Sequence, residues 1–186
     1  STRAWRDNGF FRVIMRTPTY LSDIEEIVGQ NPGHLICTTA CLGSLPGVQF
    51  QRQNYEAITA YLEVMRELFG DDFYIELQPN TNEDQRLYNR YMWEHYNQEY
   101  KFTVATDSHY LKKSERSLHR DFLQSKESNG NREVDEFYSS AYLMSAEEVM
   151  DYMLLDFQEY EVMDMFANSI EMADKCGEYS LDHPQI

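Results

Sequence analysis

Three short apolar segments, each followed by apolar residues at helical spacing, constrain this chain more than any other feature. "HLICTTACL" (34–42) is rich in β-formers and small residues and runs into the turn-forming "GSLPG". Ile58, Tyr61, Leu62, Met65, Leu68 and Phe69 then recur at helical spacing, with Asn54 the expected N-cap and Gly70 the stop. "FYIELQ" (73–78) is the second strand. Asn82 with Gln85 reads as a capping box, opening a helix with Leu87, Tyr88, Tyr91, Met92, His95 and Tyr96 on one broad face. "FTVAT" (102–106) is the third strand.

Beyond it, Ser114 is expected to cap a short helix bearing Leu118 and Phe122, and "SKESNGNREVDE" reads as a loop. Ser145 with Glu148 is a second capping box, ahead of Val149, Met150 and Met153. The last helix carries Val162, Met163, Phe166, Ile170, Ala173 and Cys176 and stops at Gly177.

Three strand–helix units predict an α/β fold with a parallel sheet. The strands lack strict alternation, as expected when helices cover one face and a barrel interior the other. Three strands cannot close a barrel. Either residues 1–33, read as an irregular or edge segment, hide further strands, or the chain is part of a larger domain. Residues 34–186 hold the βα repeats and C-terminal helices, and residues 1–186 read as a single domain.

Charge narrows the function. The formal net charge is -16, and it is unevenly spread. Residues 1–20 carry Arg3, Arg6, Arg12 and Arg16 against Asp7 alone, whereas from Glu133 onward fourteen acids face only Lys175. Such a surface repels phosphate backbones, so the chain is a poor candidate for gripping nucleic acid unaided. No apolar run approaches the ~20 residues that cross a bilayer, and the N-terminus has no signal-peptide pattern, so a cytoplasmic setting is expected. Cys37, Cys41 and Cys176 are too few and too irregular for a disulfide framework. Gly-rich phosphate loops, nucleophile elbows and basic–aromatic platforms are absent from the sequence.

The chemistry-bearing residues stand where strands end. In "FTVATDSHYL" an apolar run closes on Asp107 and His109, two positions apart, which in a strand would project to one side. Cys41 ends the first strand. Thiolate, imidazole and carboxylate suit zinc or a similar metal, and the acid also accepts magnesium or manganese. The plainer readings make Asp107 a turn cap, His109 a hydrogen-bonding histidine and Cys41 a small core residue. Cys37, four residues before Cys41, reads as core, and the two would share a face in an extended strand. Glu76 faces either a barrel interior, where it orients other groups, or solvent. His34, His95, His119 and His183 read as solvated or packing residues.

"LICTTACLGS", "FGDDFYIELQ", "VATDSHYL", "YLMSAEEVM" and "FANSIEMADKC", in this order, resemble the polymerase and histidinol phosphatase (PHP) domain. They resemble in particular the version at the front of the bacterial DNA polymerase III alpha subunit, over roughly residues 18–186. The resemblance implies a distorted (β/α)7 barrel whose mouth holds up to three divalent metal ions (Zn, Mn or Mg). Its ligand positions carry over to Cys41, Asp107 and His109. The family's opening His-x-His motif has no counterpart here, and no histidine precedes His34. "VATDSHYL" is also one residue tighter than the usual family loop before the acid.

The resemblance therefore implies the later part of a PHP domain, a partial barrel cut from a DNA-directed DNA polymerase. Its partners would be the rest of that chain and other replication proteins, with DNA reached through other domains and no membrane. The module would be a metal phosphoesterase acting as a 3′–5′ exonuclease, or a degenerate scaffold. Alone it is expected to hold metal weakly or not at all, to be inactive, and either to self-associate through its open edge or to fold residues 1–33 over the gap. A free-standing histidinol-phosphatase-like phosphomonoesterase and a non-catalytic interaction module are the rival readings.

Overall fold

The computed structural model describes residues 3–7, 10–14, 19–125 and 136–177. Most of the expected polar loop (126–135) and the tail carrying His183 lie outside them. Two compact units divide the chain, Ser1–Leu35 and Ile36–Ile186.

The first unit is more regular than the irregular or edge segment expected for residues 1–33. Strands β1 (Arg3–Asp7) and β2 (Phe10–Ile14) pair antiparallel, with Arg3 opposite Ile14 and Asp7 opposite Phe10. Helix α1 (Leu21–Gln30) follows, its first turn closed by the Tyr20 N–H donating to Asp23 at 2.8 Å. The strands in this segment form a two-stranded sheet of their own and do not extend the parallel one.

The second unit realises the βα order. Strands β3 (Cys37–Thr38), β4 (Phe73–Leu77) and β5 (Lys101–Val104) form a parallel sheet in sequence order, β4 in the middle. Helices α2 (Leu45–Gln51) and α3 (Tyr55–Phe69) lie between β3 and β4, and α4 (Glu83–Tyr96) lies between β4 and β5. Helices α5 (Arg116–Ser125), α6 (Ala146–Met153) and α7 (Glu159–Lys175) complete it.

The core follows from the two periodicities. Ile58, Leu62 and Met65 of α3 and Tyr88, Met92 and Tyr96 of α4 are buried against Phe73, Ile75 and Leu77 of β4 and Phe102 of β5. Each such side chain contributes roughly 1.5–3 kcal/mol of transfer free energy. Because strand side chains alternate, Tyr74 and Glu76 point to the opposite face of β4. That face is polar and includes Thr38 of β3 and Lys101 and Thr103 of β5, the register partners of Tyr74 and Glu76.

Helix α7 packs along β5 and closes its outer edge. The Ala105 N–H bonds the Leu77 carbonyl at 3.1 Å, so odd-numbered residues turn their amides to β4 and the Phe102 carbonyl points away from it. Asn168 Nδ2 of α7 donates to that carbonyl at 2.8 Å, and Ser169 Oγ meets Thr103 Oγ1 at 2.7 Å. The edge expected to stand open at β5 is thus partly satisfied from within the chain.

Three local expectations change. Asn82 caps α4 through the Asp84 and Gln85 amides, but the Gln85 side chain turns inward to Asn89 and leaves the box half made. Ser114 lies inside a 3-10 turn, and the Lys112 N–H bonded to Glu115 at 3.1 Å opens that segment instead. The first strand is two residues long, because Ala40 adopts a left-handed φ of 58° and turns the chain before Cys41. Cys37 and Cys41 therefore do not share one strand. Ser145 and Glu148 form the full reciprocal box, and Gly70 stops α3 at φ 55°.

Candidate functional site

Cys41 stands at the C-terminal end of β3 in a tightly wound loop. Its carbonyl accepts from the Ser44 N–H at 2.8 Å, and its thiol is half-buried. Gly47, at the start of α2, presses against this loop: a Cβ there would lie 2.2 Å from the Leu42 carbonyl oxygen. Cys37, one turn of chain earlier, packs against the apolar core, and burial pushes its thiol up. Tyr61 beside it is pushed up to about 12, by burial first and then by Cys37. Cys37 is thus the core cysteine of the pair.

The end of β5 carries the acid and the histidine. Strand pairing ends at Val104, and Asp107 takes a left-handed φ of 46°. That turn, rather than strand alternation, brings Asp107 Oδ1 within 3.6 Å of His109 Nε2. The His109 N–H donates to the Ala141 carbonyl at 2.8 Å, and Tyr110 bridges Tyr142 in parallel. The Tyr110 hydroxyl donates to the Tyr138 carbonyl at 2.7 Å. The His109 ring joins His119 of α5, at 5.5 Å between centroids, and Tyr138, at 5.3 Å and perpendicular, in a triangle closed by His119 and Tyr138 at 5.3 Å. His119 also stacks on Tyr110 at 5.4 Å, in keeping with a packing role.

Between these two ends lies a buried polar relay that sequence reasoning reached only at Glu76. Glu76 Oε2 accepts from the Thr38 hydroxyl and Oε1 from Gln78 Nε2, each at 2.8 Å. The Glu76 N–H donates to Thr39 Oγ1 at 2.9 Å. Asn89 Nδ2 bonds the Gln78 carbonyl, and Gln85 Nε2 bonds Asn89 Oδ1, both at 2.8 Å. Glu76 therefore faces inward and orders its neighbours rather than facing solvent. The available cue for the helix members was Gln85 and Asn89 at i,i+4 among the apolar positions of α4.

Because the sheet is parallel, Cys41 and the Asp107–His109 pair lie at its same end. They follow strands separated by β4, roughly 9–10 Å across two strand spacings. Among the described residues no three His, Cys, Asp or Glu side chains come together to hold a metal ion. Asp107 and His109 supply a carboxylate and an imidazole of the right chemistry for such an ion, as part of a ligand set.

No family model matches the chain. Over its whole length it is 32% identical, in 203 aligned residues, to the probable DNA polymerase YorL of Bacillus subtilis. The DNA-directed DNA polymerase of Bacillus phage SPbeta matches to the same degree. Its relatives are DNA polymerases. DNA polymerase III subunit alpha of Borreliella burgdorferi is 29% identical over 160 residues, covering 81% of this chain. The chain spans only 15% of the length of the first two relatives and 13% of the third. Among the described residues no helix is long and apolar enough to cross a membrane.

Proposed function

We propose that this chain is the later portion of a PHP-type module within a DNA polymerase of the polymerase III alpha kind, and that the ends of β3 and β5 hold divalent metal. The observation that carries the reading is the Asp107–His109 pair at 3.6 Å, built on a left-handed acid at a strand end. Non-glycine residues in that region cluster at functional positions, and Ala40 gives the β3 end the same signature. Similarity to DNA polymerases along the whole chain supports the parent activity of DNA-directed DNA synthesis.

In this reading Asp107 and His109 would be ligands of a divalent metal cluster, and Cys41, across β4, would be a further one, with the remaining ligands supplied from elsewhere in the polymerase. When bound, such ions supply Lewis acidity at a scissile phosphodiester. The chain's own residues orient the ligands: the Ala141 carbonyl holds the His109 backbone, and the rings of His119 and Tyr138 both pack against its imidazole. The reaction is 3′-end hydrolysis, and polymerisation belongs to the remainder of the parent chain.

A second reading, a non-catalytic scaffold in the same polymerase, is favoured by the lack of a three-residue ligand group among the described residues. Titration with Mn2+, followed by NMR of the histidine rings, separates the two. A metal site predicts broadening of His109 before exposed His34, reversed by chelator. Equal broadening of both rings would sink the metal site. The isolated chain is expected to leave a single-stranded DNA oligonucleotide uncut.

A further inference from the structure

We propose that the cavity walled by the end of α2 and the first turns of α3 and α4 is a binding site for an amine-bearing nucleobase. The inference draws on the polymerase reading above and needs no metal at the strand ends. The cavity holds about 450 Å³, within the range of small-ligand sites, and is lined by Phe50, Gln51, Gln53, Tyr55 and Asp84. Helices α3 and α4 both run back from the C-terminal ends of parallel strands. Their first turns therefore lie at the end of the sheet where ligands of such folds bind.

An aromatic column supplies the stacking surface. The Tyr55 ring stacks on Tyr91 at 4.9 Å and 27°, and Tyr91 stacks on His95 at 4.2 Å and 28°. Phe50 packs against Tyr91 at 5.3 Å. Tyr55 ends the column, 44% exposed and lining the cavity, so a flat ring laid on it extends the stack. The loop beside it is tightly held. Gln53 takes a left-handed φ of 57°, its N–H donates to the Phe50 carbonyl, and Asn54 Nδ2 donates to Gln49 Oε1, both at 2.9 Å. Left-handed non-glycine residues of this kind gather at ligand sites.

The polar groups choose the ligand. Among the described residues the side chains of Gln51, Gln53 and Asp84 have no hydrogen-bond or ion-pair partner, which leaves one carboxylate and two amides for a ligand edge. A carboxylate only accepts, so it suits the exocyclic amine of cytosine, adenine or guanine and opposes the O4 carbonyl of thymine. Exposed Arg52, between the two glutamines in sequence, is the cation for a flanking phosphate. With a net charge of -16 the chain otherwise repels phosphate, so base contacts must supply most of the affinity.

The test titrates the 186-residue chain with oligo-dC, with oligo-dT of equal length, and with dCMP. NMR shifts of the Gln51 and Gln53 side-chain amides report both place and affinity. Oligo-dC is expected to bind at least about fivefold more tightly than oligo-dT. Tyr55→Ala should weaken oligo-dC at least about fivefold, and Tyr55→Phe should keep it. Asp84→Ala should erase the preference for oligo-dC, and it carries the test alone if Tyr55→Ala does not fold. Shifts with dCMP as well as oligo-dC would make a free nucleotide a source of the base, and shifts with oligo-dC alone would make the single strand the source; both support the site. Equal affinity for the two strands, a preference that survives Asp84→Ala, or amides indifferent to all three probes would overturn the proposal. None of these outcomes bears on the metal site, which the His109 ring reports separately.

Discussion

The Tyr74 hydroxyl donates to Glu171 Oε1 at 2.9 Å, joining the middle strand to the end of the last helix across 97 positions of chain. Lys101 and Lys175 close on the same carboxylate at 2.7 and 3.0 Å, and Lys175 also reaches Asp72 at 2.8 Å. Both ammonium groups lie over the Tyr74 ring. This knot pins α7 to the sheet at the end opposite the candidate ligands.

Acid should loosen that knot. Hydrogen bonds from Lys101, then Lys175, then Tyr74 hold the Glu171 carboxyl down to about 2, against an ordinary value of 4.5. A carboxyl depressed on folding contributes its full stability above the unfolded pKa and loses it as pH falls through the folded one. The urea midpoint is expected to drop between about pH 4.5 and pH 2, and Glu171→Gln to flatten that drop. Because Glu171 is partly exposed, the effect should shrink in high salt. Equal pH slopes in the two proteins would refute it.

Asp156 anchors the segment between α6 and α7 to α4. Burial raises its pKa, but bonds from Arg86 and Arg90 outweigh that and hold it below the usual range. Arg86 Nε lies 2.8 Å from one carboxylate oxygen, and Arg90 takes the other. Asp156→Ala leaves two guanidinium groups without their buried partner and should cost about 3 kcal/mol in urea unfolding. Arg86→Ala should cost less, because Arg90 remains. A loss below 1 kcal/mol in Asp156→Ala would count against the pair as an anchor.

The loop carrying Cys41 offers a pair of substitutions with opposite signs. Gly47→Ala drives a Cβ to 2.2 Å from the Leu42 oxygen, a backbone atom that cannot swing away, and should destabilise by roughly 1–3 kcal/mol. Ala40→Gly removes a left-handed alanine costing about 1–2 kcal/mol, less about 0.4–1 kcal/mol of added unfolded-state entropy. It should therefore stabilise slightly. Thermal unfolding of both variants, with thiol labelling of Cys41 as a local readout, gives the signs directly.

Asn168→Ala should uncap β5. The Phe102 carbonyl would lose its partner at a cost of roughly 1–3 kcal/mol, and the freed edge would offer itself to a second chain. Sedimentation velocity is expected to show more self-association in the variant than in the wild type. Identical profiles would mean that α7 does not guard this edge.

How far the fold could be read in advance depended on the range of the signal. Helices α3, α4, α6 and α7 announced themselves through apolar spacing and caps, and the Ser145–Glu148 box formed as written. The hairpin β1–β2 was missed although Asn8-Gly9 sits between its strands, a strong two-residue hairpin cue. Gln78, Asn80 and Asn89 drew no reading as buried groups, and Gln85 was expected only as half of a capping box; nothing local marks a polar residue for burial, yet each is buried with a bonded partner.

Sequence alone determined the order of the three parallel strands and the helices between them, most of the positions of α3 and α4 that enter the core, and the placing of Cys41, Asp107 and His109 after strand ends. Those properties are local, set by side-chain periodicity over a few residues. Only the tertiary structure decided that Asp107 meets His109 through a left-handed turn, that Glu76 is buried and bonded to Thr38 and Gln78, and that α7 packs along β5. Each depends on backbone signs or on groups tens of residues apart, and packing, not local preference, determines which of those meet.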